Sequence, residues 1–284
     1  IVFNLLSKKI RVVAFNRSPA RVAGVVEKGA EGTSSVEELA NKLKPPRIIW
    51  IMVTAGKAVD AVIDSLIPHL TKGDIIIDGG NSLFKDALTR GKRLENTGIE
   101  FLDIGTSGAC LTVGGKKEVF EKVEPLLKKI AVEGGYSYMG PAGAGHFVKM
   151  IHNGIEYALL QSYSEGFEQL INGPYKLDLK EIARVWDNGS VIRSWLLELA
   201  EDALSKDPNL DKITGEIGGG QTGKWALETA LETNSPHAAL AHALTVRRGS
   251  KGSDAFSNRF IAALRNEFGG HEVKTKDQRP KTKD

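Results

Sequence analysis

Short apolar runs alternate with longer amphipathic stretches through the first half of the chain. Residues 10–17 (IRVVAFNR), 47–53 (RIIWIMV), 74–80 (DIIIDGG), 100–105 (EFLDIG) and 110–115 (CLTVGG) read as strands rich in β-branched side chains. Helical spacing fills residues 19–28, 57–70, 84–97 and 117–130, the first opening on Pro19, whose missing N–H is not needed in a first turn. Ile1, Val2, Leu5 and Leu6 ahead of Ser7-Lys8-Lys9 read as the end of an amphipathic helix, with positive charge at the negative end of its dipole. Strands that are apolar almost throughout, each followed by a helix, predict a parallel sheet covered on both faces: an α/β, Rossmann-like N-terminal domain.

The pattern changes at YSYMGPAGAGH (residues 136–146). Beyond it only helical spacing remains, in one long segment at 145–171 and shorter ones at 178–186, 192–203, 223–233, 236–248 and 257–267. The boundary is set near Pro141, which makes residues 1–140 the dinucleotide-binding domain and residues 141–284 an all-α domain. The stretch from Lys274 to the end is charged, contains Pro280 and reads as a solvated tail. A length of 284 residues suits two domains at about 150 residues each. Lys and Arg (38) nearly balance Asp and Glu (35), and this net +3 predicts no nucleic-acid surface. The single cysteine, Cys110, excludes an internal disulfide framework and favours a reducing, cytoplasmic compartment. The chain has no apolar run of the roughly 18 residues a membrane helix needs, so no membrane association is expected.

A strand-rich, glycine-punctuated half suggests a dinucleotide, yet no Gly-x-Gly-x-x-Gly joins a strand to a helix. Because the sequence opens inside a helix, a central strand and phosphate-cradling turn of about a dozen residues are expected ahead of Ile1. Asn16-Arg17-Ser18 closes the first visible strand, where an acidic residue serves the NAD ribose and an arginine suits the extra phosphate of NADP. Arg17 therefore points to NADP, with NAD left open; an exposed turn arginine is the plainer alternative. Met52-Val53-Thr54 and Gly79-Gly80-Asn81-Ser82 follow two other strands, at the edge where open α/β sheets bind ligands; each also reads as an ordinary turn.

The strongest chemical pattern is KMIHNGIEY. Lys149, His152, Asn153, Glu156 and Tyr157 stand at offsets 0, 3, 4, 7 and 8, on one helical face, while Met150, Ile151, Ile155, Ala158 and Leu159 are left to bury the helix. Lys149 and Glu156 lie two turns apart, about 10 Å along the axis, so an amine and a carboxyl are positioned to take and to deliver a proton around one small substrate. Gly105-Thr106-Ser107-Gly108 offers a hydroxyl and amides to an oxyanion or cofactor, or is only a turn. Arg265 and His271 flank a helix end and suit a phosphate, with a surface arginine and a capping histidine as the alternative; Lys224 and Arg247 are further basic candidates. No metal is called for.

Together NRS, MVTAG, DIIIDGGNS, FLDIGTSG, GHFVKMIHNGIEY and LRNEFGGH, in that order over nearly the whole chain, make it resemble the decarboxylating 6-phosphogluconate dehydrogenases, the shorter bacterial-type branch in particular. The resemblance implies oxidation of 6-phospho-D-gluconate with NADP or NAD and decarboxylation to D-ribulose 5-phosphate. It makes Lys149 the base for the C3 hydroxyl and Glu156 the acid that protonates C1 of the enediol. Asn81, Ser107, His152 and Asn153 would orient substrate and nicotinamide, and Tyr157, Arg247, Arg265 and His271 would hold the phosphate. It also implies a homodimer in which Arg265 and His271 reach the partner's site. The family loop after Ser107-Gly108 is longer, so residues are expected to be missing between Gly108 and Ala109. A β-hydroxyacid dehydrogenase for another small acid is the enzymatic alternative, and a cofactor-binding regulatory homologue the non-enzymatic one.

Overall fold

The computed structural model describes residues 1–276. Its first compact unit, Ile1–Ile151, opens with α1 (Val2–Ser7), β1 (Val13–Phe15), α2 (Pro19–Val26), β2 (Glu31–Thr33) and α3 (Val36–Lys42). It continues with β3 (Ile48–Ile51), α4 (Lys57–Leu66), β4 (Ile75–Asp78), α5 (Phe84–Glu95), β5 (Glu100–Ser107), β6 (Cys110–Gly115), α6 (Lys117–Ile130) and β7 (Tyr136–Gly140). Parallel β1 and β2 form one small sheet, and β3-β4-β5-β6-β7 form the main one. Among the described residues β1 and β3 belong to separate sheets and are not paired.

Both faces of the main sheet are covered, as expected of near-continuous apolar strands. Ile75 and Ile77 of β4 pack with Leu102, Ile104 and the α6 residues Val119, Val123 and Leu127. The intervening Ile76 points the other way, to Val59 and Ile63 of α4 and Leu94 of α5. One expectation is corrected. The sheet is mixed, because β6 runs antiparallel to β5 with Ser107 opposite Cys110. Only Gly108 and Ala109 join these strands; two residues suffice for a hairpin, whereas a parallel neighbour needs a crossover of a dozen or more. Gly108 takes φ +58° in that turn.

Three elements escaped the sequence reading. α3 buries only Ala40, but Ser35 accepts the N–H of Glu38 at 3.0 Å, and Glu38 accepts the N–H of Ser34 at 2.8 Å. That is a capping box shifted by one residue, and Ser-x-x-Glu was its available signal. β2 is three residues long, and β7 alternates half-buried and exposed positions just where the repeat breaks.

The second unit, His152–Asp284, holds most of α7 (Ala144–Ile171), then α8 (Leu179–Asp187), α9 (Trp195–Lys206), α10 (Gln221–Glu232), α11 (Ala238–Gly249) and α12 (Phe256–Gly269). Phe167 anchors its core, stacked on Phe260 at 4.6 Å and edge-on to Trp186 at 5.6 Å. The two compact units meet at 151/152, so the first turns of α7 lie in the sheet-bearing unit. Asp103 of β5 accepts the N–H groups of Gly143 (2.6 Å) and His146 (2.8 Å) there. The solvated-tail expectation also needs correction for residues 274–276. Thr275 bridges Ile213, the Lys274 carbonyl accepts the Thr214 N–H at 2.8 Å, and Lys274 pairs with Glu216; the remainder of that stretch lies outside the described residues. No helix among the described residues is long and apolar enough to cross a membrane.

Candidate active site

The sheet domain gathers its candidate residues at the C-terminal ends of β3, β4 and β5, where a doubly wound sheet presents its ligand crevice. Met52 and Val53 leave β3 exposed, followed by Thr54. β4 ends at Asp78, and Gly79 is obligatory: a Cβ there would lie 1.8 Å from Nε1 of Trp50. Asp78 accepts the N–H of Gly80 at 3.2 Å and shapes the turn that presents Asn81. Arg90 of α5, fully buried, donates to Asp78 (3.0 Å), Asp60 (2.7 Å) and the Gly56 carbonyl (3.1 Å), tying the ends of β3 and β4 together. Burial pushes the Asp78 carboxyl up, but the facing His146 ring and the Arg90 guanidinium outweigh it and leave the group below the usual carboxylate range. This network went unread, since Arg90 stands 12, 30 and 34 residues from its three partners and only Asp78 lies next to a motif.

At the end of β5, Lys149 donates from Nζ to Oγ of Ser107 at 2.8 Å, joining the predicted base to the predicted hydroxyl; Gly108 follows in the hairpin turn. Glycines make this approach feasible. A Cβ at Gly105 would fall 2.3 Å from Cβ of Lys149, and one at Gly145 would fall 2.4 Å from the Asp103 carbonyl. Beyond β1, the Asn16 side chain accepts the N–H of Ser18 at 2.9 Å, and Asn16 and Arg17 line a cavity of about 590 Å³ with Thr33 and Ser34.

In the helical unit, His152 Nδ1 and Asn153 Oδ1 are 3.1 Å apart, Asn153 is buried and Glu156 is half-buried. The expectation that the apolar neighbours bury the helix holds for Met150 but fails for Ile151, Ile155 and Leu159, which are 38, 58 and 42% exposed. The inward face of α7 runs instead through Met150, Asn153, Tyr157, Leu160 and Ser164, a 3–4 spacing that takes in part of the polar stripe.

Tyr157 lies under the guanidinium of Arg247, whose Cζ is 4.3 Å from the ring centroid. Gly223 has no room for a Cβ against the same ring. Arg247 and Arg265 both donate to the Gly218 carbonyl, at 2.9 and 2.6 Å. Nε of Arg247 is buried with no acceptor among the described residues. Burial lowers Arg247, and burial followed by repulsion from Arg247 lowers Arg265 to about 10. His271, packed edge-on against Phe268, is lowered by burial and then by the two arginines. Buried Arg265 and half-buried Arg247 thus converge on one carbonyl, an arrangement whose remaining N–H groups suit an anion. Within the chain Arg265 meets Arg247, and α12 packs on α7 through Phe260 and Phe167. Lys224 pairs with Glu228 on the surface.

Comparison with known proteins identifies the family. A family model described as the NAD binding domain of 6-phosphogluconate dehydrogenase matches residues 1–140, and one described as its C-terminal domain matches residues 145–255. The NAD(+)-dependent, decarboxylating 6-phosphogluconate dehydrogenase of Haloferax volcanii is 42% identical over 98% of this chain and 95% of its own length. The NADP(+)-dependent, decarboxylating enzyme of Bacillus subtilis is 36% identical over 94% of this chain, which spans 59% of that protein. Among solved structures, 6-phosphogluconate dehydrogenase of Plasmodium falciparum, described with cofactor NADP+ and substrate 6-phosphogluconate, matches with a TM-score of 0.79 and 32% identity, over 88% of this chain and 59% of that one.

Proposed function

The chain belongs to the 6-phosphogluconate dehydrogenase family, and from that premise we propose that it oxidises 6-phospho-D-gluconate and decarboxylates it to D-ribulose 5-phosphate, with NADP as its dinucleotide. The observation that carries the substrate assignment is the pair of guanidiniums, half-buried Arg247 and buried Arg265, on Gly218. An unphosphorylated hydroxy acid would leave that charge unanswered, whereas a phosphate dianion accepts from both forks.

The residues present fit a dinucleotide at two places. Asn16, Arg17 and Ser18 would hold the ribose and its phosphate at the β1 cavity, and Met52, Val53, Thr54 and Asn81 would border the nicotinamide at the β3 and β4 ends. When bound, the dinucleotide supplies the hydride acceptor. Lys149, oriented by Ser107, takes the C3 hydroxyl proton as the C3 hydrogen leaves with its electron pair. The product is a 3-keto acid, whose carbonyl accepts the electrons released as carbon dioxide departs; the lysine, now an ammonium, stabilises that oxyanion. Glu156, two turns along α7, then protonates C1 of the five-carbon enediol. Asn81, Ser107, Gly108, His152 and Asn153 orient the hydroxyls and carboxylate, and Tyr157, Arg247, Arg265 and His271 bind the phosphate.

The exposed Ile151, Ile155 and Leu159 stripe supports a homodimer, checked by light scattering, and the free, exposed Cys110 suits the cytoplasm. The deciding assay follows reduced cofactor and carbon dioxide with 6-phosphogluconate, gluconate and 3-hydroxyisobutyrate, using NADP and NAD separately. Turnover of an unphosphorylated acid without turnover of 6-phosphogluconate would select the broader β-hydroxyacid dehydrogenase reading. Reduced cofactor without carbon dioxide would overturn the decarboxylation.

A further inference from the structure

One face of β5 carries Asp103, Gly105 and Ser107 at alternate positions, and all three meet the start of α7. Asp103 is fully buried, and its two carboxylate oxygens accept the N–H groups of Gly143 (2.6 Å) and His146 (2.8 Å), donors that the opening of a helix leaves without intrahelical partners. Gly105 has no side chain where Cβ of Lys149 presses in. Ser107, about 13 Å along the strand from Asp103 at roughly 3.3 Å per residue, receives the amine of Lys149. On the adjoining strand, Thr112 donates to the Gly145 carbonyl at 2.9 Å. The helix is therefore held at its backbone by one end of the strand and at the tip of its lysine by the other.

We propose that Asp103 is a positioning residue for the reaction: by gripping Gly143 and His146 it sets the rotation and height of α7, and so delivers the Lys149 amine to Ser107 and the substrate hydroxyl. The inference rests on the proposed dehydrogenase activity and adds to it a residue that touches neither substrate nor cofactor. The reason is geometric. A helix has 3.6 residues per turn, so a slip of one residue along α7 would rotate Lys149 by about 100° and move it about 1.5 Å, off Ser107 altogether. A carboxylate with two acceptors fixes both coordinates, because it must meet two particular N–H groups at once. A hydroxyl cap satisfies one donor and leaves the helix free to rock. Burying a carboxylate is costly, and burial pushes Asp103 up from its ordinary value, so a stability cap alone is poorly served by this residue. Gly105 and Gly145 tighten the constraint, since the contact surface has no slack for a shifted helix.

The test compares Asp103→Asn, which keeps the shape but turns one acceptor into a donor, with Thr112→Val, which removes the second grip at nearly equal volume and stands in should the first variant fold poorly. Wild type is assayed first with 6-phosphogluconate and, if that fails, with other hydroxy acids, so that a wrong substrate is recognised before any variant is scored. On the acid that turns over, Asp103→Asn should lower kcat by about 30–100-fold, the size of effect a 1 Å misplacement of a reacting group produces, with KM changed by less than about threefold. Thr112→Val should lower kcat by about 5–10-fold. The deuterium isotope effect from substrate labelled at C3 should rise in both, because hydride transfer becomes slower relative to product release. An activity-independent arm measures carbamylation of Lys149 by cyanate with peptide mass spectrometry; its rate should change several-fold in each variant. Unchanged kcat, isotope effect and carbamylation in folded variants that merely melt lower would reduce Asp103 to a helix cap and overturn the proposal.

Discussion

Replacing Arg265 by Met tests the phosphate assignment with a magnitude fixed by the site. Arg265 is only 6% exposed, donates to Gly218 at 2.6 Å and is held at about 10 by burial and then by Arg247. A base whose folded value lies below its ordinary one opposes folding at every pH below about 10, and that penalty fades only as pH climbs above 10 toward the ordinary value. The fall corresponds to roughly 3 kcal/mol, reduced to about 1–2 kcal/mol by solvent screening at an open site. Losing the bond to Gly218 costs about 1–1.5 kcal/mol, so ligand-free Arg265→Met should be about as stable as wild type. Binding behaves differently. A hydrogen bond to a charged group contributes about 2 kcal/mol, which is a roughly thirtyfold loss of affinity for 6-phosphogluconate. At a ligand concentration about 100 times the wild-type dissociation constant, ligand stabilises wild type by about 2.7 kcal/mol and the variant by only about 0.9 kcal/mol. Thermal melts with and without 6-phosphogluconate, run beside gluconate, read this directly: the ligand-induced rise should shrink by roughly 5 °C, and any response to gluconate should be untouched. Equal ligand shifts in variant and wild type, or equal losses on both acids, would refute the assignment of Arg265 to the phosphate.

Lys149→Met should lower the oxidation rate by about 10²–10⁴-fold, the usual range for loss of a general base, and Glu156→Gln should slow enediol protonation, read as reduced tritium incorporation from solvent at C1; wild-type rates in either variant would remove that residue from its role. Arg17→Ala should lower kcat/KM for NADP by about tenfold or more and leave NAD nearly unaffected, so an unchanged ratio would reject the phosphate contact. His271 is lowered by burial, then by Arg265 and Arg247, so below pH 6.5 the unfolded chain takes up a proton that the folded site resists and stability falls with pH; His271→Asn should flatten urea midpoints in that window, and an unaltered slope would contradict the shift. Gly79→Ala should destabilise by about 1–3 kcal/mol and perturb the Trp50 fluorescence, because the new methyl must displace the indole; a neutral result would show that the turn has slack.

Where the sequence was informative, the reason was periodicity. Strands β3 to β6 and helices α4 to α12 stood out because each buries a face deep enough to leave a spacing of 2 or 3.6 residues. α3 left none, having a single buried position in Ala40, and only its Ser35 and Glu38 cap could have exposed it. The candidate site divides the same way. Lys149, Asn153, Glu156 and Tyr157 share one helix, so their relation is written in their offsets, whereas Arg247 and Arg265 stood out singly as basic residues and were joined in one site only through family resemblance. Asp78 with Arg90, and Asp103 with His146, had no such route. Each pair is buried, each residue alone looks like an ordinary surface charge, and the partners are 12 and 43 residues apart. The exposed face of α7 was misjudged for a related reason: a helix apolar on one side and polar on the other is normally buried on the apolar side. Here Asn153 and Tyr157 turn inward while Ile155 stays in solvent. A helix that carries a catalytic stripe must bury polar groups to hold them still, and its remaining apolar face is then left free for another surface.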